Sequence, residues 1–124
     1  MTGKTIWNQL NALGRQDLWA WGVTKPQTFS EEYFQSIPHL GGLLFKVNGL
    51  LHKQKVMIRL QPNDLYHIEI GNVVKGSWVK RKNSETIENV FFDQMIDVID
   101  SLVEGTKNKS PKEAQEIYKK HGVL

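Results

Sequence analysis

The chain has 124 residues, 40% of them apolar and 23% charged, which is the composition of a soluble domain long enough to bury a core and argues against disorder. It contains no cysteine, so disulfides, thiol catalysis and thiolate metal sites are excluded together. The net charge of +3 is unevenly spread: the first 45 residues balance three basic against three acidic side chains, Lys46 to Lys82 carries eight against two, and Asn83 to Leu124 carries five against eight.

In chain order, Thr5 to Leu13 reads as a helix, with Ile6, Leu10 and Leu13 at i, i+4, i+7 spacing and Gly14 as its stop. Leu18 to Val23 (LWAWGV) is short and aromatic and reads as extended. Lys25 to Gly42 holds Pro26, Pro38, Gly41 and Gly42 and reads as a long connection, with one helical turn at Ser30–Phe34. From Leu43 the period becomes two. Leu43, Phe45 and Val47 alternate with Leu44, Lys46 and Asn48, and Val56, Ile58 and Leu60 alternate with Lys55, Met57 and Arg59. Asn48-Gly49 begins the connection between these strands, and Gln61-Pro-Asn-Asp forms the next turn. Leu65 to Ile70 is a third strand with Tyr66, Ile68 and Ile70 inward and His67 and Glu69 outward. Gly71-Asn72 turns the chain, and Val73 to Lys82 is a fourth strand interrupted near Gly76.

Asn89 to Gly105 returns to helical period. Phe92, Met95, Ile96, Ile99, Leu102 and Val103 form an apolar stripe, and Asp93, Asp97, Asp100 and Glu104 line the other side. Ser110-Pro-Lys-Glu opens a last helix to about Lys120. The expected fold is a single α+β domain over residues 1–124. It has an N-terminal helix, a four-stranded antiparallel meander, an amphipathic helix on the sheet over Val90–Glu104 and a short C-terminal helix. Its main core is the stripe facing Phe45, Val56, Ile58, Ile68 and Ile70.

The candidate binding residues lie on the basic strands. Alternation places Lys46, Lys55 and Arg59 on one outward face, with Trp78, Lys80 and Lys82 on the fourth strand. Such a face can neutralise phosphates, with an affinity that falls steeply with salt, and an aromatic ring among basic residues can stack a base. The plainer alternative is a solvated sheet face with lysines that block edge pairing. Against it stands the shortage of acids, because a merely solvated face mixes both signs. Trp7 and Trp21 are expected in the core, with Trp78 open between core and platform. The ribonucleoprotein aromatic motif, the KH glycine loop and helix-turn-helix spacing are absent.

No catalytic or metal set is expected. The acidic helix row reads as a solvated face, and His39, His52, His67 and His121 never fall at ligand spacing. There is no GxSxG elbow, and neither Gly41-Gly42 nor Asn48-Gly49 opens a phosphate loop. No apolar run approaches the ~18 residues of a membrane span. The first 14 residues contain one lysine and no continuous apolar block, so no signal peptide and a cytoplasmic location are expected.

The run from Leu43 to Leu102, with its segments FKVNG, VMIRLQPNDLYHIEIG and VFFDQMIDVIDSLVEG, resembles small uncharacterised proteins of gut bacteria and their prophages. The resemblance covers about half the chain. It implies a phage or mobile-element setting and transfers no activity or catalytic residue. The expected function is a small non-catalytic binding or accessory protein, without cofactor, acting through protein contacts or self-association. The alternative is weakly sequence-specific nucleic-acid binding through the basic sheet surface.

Overall fold

The computed structural model describes residues 2–84 and 86–105. Helix α1 (Thr2–Ala20) is followed by six strands, β1 (Thr24–Phe29), β2 (Gly42–Lys46), β3 (Lys55–Leu60), β4 (Tyr66–Val74), β5 (Ser77–Lys80) and β6 (Ile87–Val90). A 3-10 turn, Phe92–Gln94, then leads into helix α2 (Met95–Val103). The sheet runs β1-β2-β3-β4-β5, and β6 pairs with β4 off this path; every pairing is antiparallel. The architecture is α+β, as the period change at Leu43 predicts. The predicted C-terminal helix from Ser110 lies outside the described residues.

The alternation in β2, β3 and β4 sets the register. Leu43 lies opposite Ile58 and Ile58 opposite Ile68; Phe45 lies opposite Val56 and Val56 opposite Ile70. These side chains share a face, because a one-residue slip would turn each strand's apolar set to the other side. They are buried in one core with Ile6, Leu10 and Leu18 of α1 and Met95, Ile99, Leu102 and Val103 of α2. Helix α1 lies against β1 and β2, and α2 packs beside α1. No helix among the described residues is long and apolar enough to cross a membrane.

The predicted stop at Gly14 is instead a close contact. The helix continues to Ala20, with a local break at Gly14, and a Cβ there would sit 2.6 Å from Ile96 Cδ1 of α2. The glycine lets the two helices approach. The segment predicted as extended, Leu18 to Val23, is therefore mostly helical or turn. Leu18 and Trp21 continue the buried α1 face at helical spacing, while Trp19 is 88% exposed.

Other boundaries shift for reasons of pairing. The long connection contains β1, whose sequence TKPQTF is almost wholly exposed. Its pairing with β2 is broken by a register shift between Thr24 and Gln27. Pro26 is tolerated because an edge strand leaves one side of its backbone unpaired. Gly71-Asn72 is not a turn: β4 runs through it to Val74, and the reversal falls at Lys75-Gly76, where φ is 53° and 79°. This two-residue reversal with both φ positive suits the twist of a hairpin. The predicted helix from Asn89 starts only at Met95, because Ile87 and Val90 are buried in a strand on β4. Five of the six stripe residues are buried, and Phe92 is exposed.

The acidic row on α2 is not uniformly solvated. Asp100 is buried and accepts the Trp21 Nε1 hydrogen bond at 3.0 Å, tying the end of α1 to α2. Ile99 is fully buried at the centre of the stripe. Ile99→Ala is expected to destabilise the fold by about 2–5 kcal/mol through lost burial and a cavity, measured by urea denaturation. An unchanged midpoint would place Ile99 outside the core.

Candidate functional site

The face of the sheet away from the helices carries the chemistry. Strand alternation brings Arg59 of β3 opposite His67 of β4 and Met57 opposite Glu69. Arg59 and His67 are completely buried and Glu69 nearly so. Arg59 Nη2 donates to Glu69 Oε1 at 3.1 Å, and Arg59 Nε donates to His67 Nδ1 at 3.2 Å. Arg59 Nη1 reaches the connection after β1, donating to the Phe34 carbonyl at 2.6 Å and to Ser36 Oγ at 3.0 Å. Glu69 takes two further donors, Trp78 Nε1 at 2.9 Å on its Oε1 and Thr86 Oγ1 at 2.6 Å on its Oε2.

The network is closed on itself. A buried carboxylate needs both a counter-charge and donors on its remaining lone pairs, and Glu69 has all of these. Burial, and then the Arg59 charge, lower the His67 pKa to about 4, so the imidazole is neutral at pH 7 and its Nδ1 accepts from Arg59. His52 is also buried and its pKa is lowered by that burial; its Nε2 lies 2.9 Å from the Lys55 carbonyl.

One register row further along, the same face turns basic. Lys46 lies opposite Lys55, Lys55 opposite Gly71, and Gly71 opposite Lys80. Three lysines therefore occupy one transverse row over four strands, with a glycine in the gap. Lys46 and Lys80 are exposed and Lys55 is half-buried. Lys80 Nζ lies 3.4 Å from Thr86 Oγ1, and among the described residues no carboxylate is in ion-pair range of these three lysines. Glu69 is the sole acidic residue in β1 to β5, and it is committed to Arg59. Trp78 starts opposite Val73, yet its indole reaches back over Gly71: a Cβ on Gly71 would sit 3.0 Å from Trp78 Cζ2.

The six sequence-predicted residues thus divide. Lys46, Lys55, Lys80 and Trp78 come together on one face. Arg59 shares that face but is enclosed, because the connection from Ser30 to Leu40 folds back and binds its guanidinium. Lys82 is exposed in the turn beyond β5. Sequence reasoning missed the enclosed network. The available signal was the pairing of one arginine with one glutamate at outward positions of adjacent strands. A separate groove of about 960 Å³ runs beside β1, lined by Thr28, Phe29, Tyr33, Phe34, Leu40 and Leu44 among others. Among the described residues Glu31 is its only charged lining side chain, so it does not suit an anion. Among the described residues, no group of three histidine, aspartate or glutamate side chains is placed to hold a metal.

Comparison with protein-family models, with curated proteins and with solved structures returns no match.

Two consequences of the network are measurable. Glu69→Gln leaves Arg59 buried without its counter-charge and is expected to cost about 3–5 kcal/mol, read as a shift in urea midpoint. A variant as stable as the parent would mean that the pair contributes nothing. The pH dependence has a definite sign. His67 is neutral in the fold down to about pH 4, whereas the unfolded chain takes up that proton near pH 6.5. Stability is therefore full above pH 6.5 and falls between pH 6.5 and about 4, by about 1.4 kcal/mol per pH unit for this group. His67→Gln should reduce that slope, with His52→Gln as a second, smaller contributor. An unaltered slope in His67→Gln would assign the proton uptake elsewhere.

Proposed function

We propose that this is a non-catalytic nucleic-acid-binding protein of weak sequence preference, whose contact surface is the basic row on the open face of the sheet. The observation that carries the reading is the register: Lys46, Lys55 and Lys80 fall in one row, and the one carboxylate of β1 to β5, Glu69, is consumed by Arg59. Lysines held in a row without local acids are placed to displace counterions from a phosphate backbone, a sequence-independent source of affinity. The non-catalytic part rests on the Arg59–His67–Glu69 set, whose main polar groups are already satisfied within the protein. The cysteine-free composition supports a cytoplasmic setting, and the resemblance of residues 43–102 supports a phage or mobile-element setting.

A specific observation favours protein contacts or self-association as the second reading. The turns Trp21–Gly22 and Asn48–Leu51 meet through the Asn48 amide and the Trp21 carbonyl at 2.8 Å. Around them Trp19 is 88% and Leu50 72% exposed. Large apolar side chains gathered at one end are a common feature of contact surfaces.

Titration of a fluorescent oligonucleotide over a range of salt separates the two readings. Log affinity should fall linearly with log salt, and Lys46→Gln with Lys80→Gln should flatten the slope by about 0.7 to 0.9 per lysine. Both side chains are exposed, so the melting temperature should not change. Asp93→Asn with Asp97→Asn, on the helical side, should not weaken binding. Absence of binding at low salt would remove the nucleic-acid reading, and light scattering would then test self-association.

A further inference from the structure

We infer that the basic row takes a single strand, with one unpaired base stacked on the Trp78 indole where it lies over Gly71; this rests on the nucleic-acid reading above. Three features converge on that ring. Its polar edge is fixed, since Nε1 donates to Glu69 Oε1 at 2.9 Å and Glu69 is itself held by Arg59 and Thr86. Its underside lies close to the β4 backbone, since a Cβ on Gly71 would come within 3.0 Å of Cζ2. Its flanks are basic, since Lys55 and Lys80 are the two cross-strand neighbours of Gly71.

Gly71 sharpens the assignment. It lies within β4 and has no positive φ, so its backbone conformation does not require glycine. Glycine inside a strand weakens it and marks a place where something approaches closely. Here the nearest neighbours are the Val79 carbonyl and Lys80 Cα of β5, and the indole comes next, with Cζ2 3.0 Å from where a Cβ would sit. A ring used only to cover the Arg59–Glu69 pair would not need cationic neighbours on both sides. Neighbouring strands lie ~4.8 Å apart, so the row from Lys46 to Lys80 spans roughly 15 Å, with the indole between the last two lysines. Lysines meet phosphates, and the ring meets a base face. In a duplex those faces are covered by neighbouring pairs, whereas an unpaired base is free to stack on an aromatic side chain.

The test uses the full chain and three fluorescein-labelled probes of equal length: a thymidine oligonucleotide, its duplex and an abasic strand with the same phosphates. The thymidine strand should bind more tightly than the abasic strand by roughly five- to 150-fold, the range for one stacked base. Trp78→Ala should remove that difference while leaving the salt slope of the thymidine strand unchanged, because no phosphate contact is lost. Trp78→Phe, which keeps a ring, should retain much of it. The abasic comparison on the unmodified protein needs no variant to fold. Equal affinity for thymidine and abasic strands, or tighter binding of the duplex, would overturn the stacking inference while salt-dependent binding sustained the nucleic-acid reading. Failure of all three probes to bind at low salt would overturn both.

Discussion

The buried pair between Arg59 and Glu69 is the constraint on which the open face of the sheet depends. One guanidinium inside a protein demands partners for its donors, and the partners recruited here come from separate parts of the chain. Glu69 and His67 belong to β4, while Phe34 and Ser36 belong to the connection between β1 and β2. Glu69 in turn holds Trp78 of β5 and Thr86 just before β6. A single charge pair thus orders the covering connection, the β4–β5 hairpin and the approach to the last strand.

The opposite face is governed mainly by apolar packing. Gly3 brings α1 against Thr28 and Gly42, where a Cβ would lie 2.6 Å from Thr28 Cβ, and Gly14 admits Ile96 of α2. These contacts let α1 settle onto β1 and β2 while α2 packs alongside. Trp21 closes the arrangement through its hydrogen bond to the buried Asp100. The molecule therefore has a dry apolar face under two helices and a polar face whose charges sort by depth. Arginine and glutamate are enclosed at one end, and lysines are left in solvent at the other.

That sorting connects structure to the proposed role. If Glu69 were exposed beside Lys55 and Lys80, it would offset the row and weaken attraction to an anion. Its burial with Arg59 removes one basic and one acidic group from the surface together and leaves no surface carboxylate beside the three lysines on β1 to β5. The same carboxylate also holds the Trp78 indole over Gly71. The enclosed network and the open row are thus two parts of one surface, linked through Glu69.

Period-two alternation in residues 43–47, 55–60 and 65–70 marked the strands, their buried set and the shared face of Lys46, Lys55 and Arg59, because side-chain direction in a strand depends on parity, and the short connections between them made the sheet antiparallel. The stripe from Met95 to Val103 likewise marked the helix, because helical spacing is local. Elements without such a pattern were not legible. β1 is exposed along nearly its whole length and exists because β2 offers a free edge; Ile87 to Val90 is a strand because β4 has room beside it. The roles of Gly14 and Gly71 were hidden for the same reason: a glycine used for close approach looks like one used for a turn until its neighbour is known. Tertiary structure alone decided that Arg59 is enclosed and Lys55 is not. Parity puts both on one face, but depth is set by what folds over that face, and the connection from Ser30 to Leu40 covers only the Arg59 end.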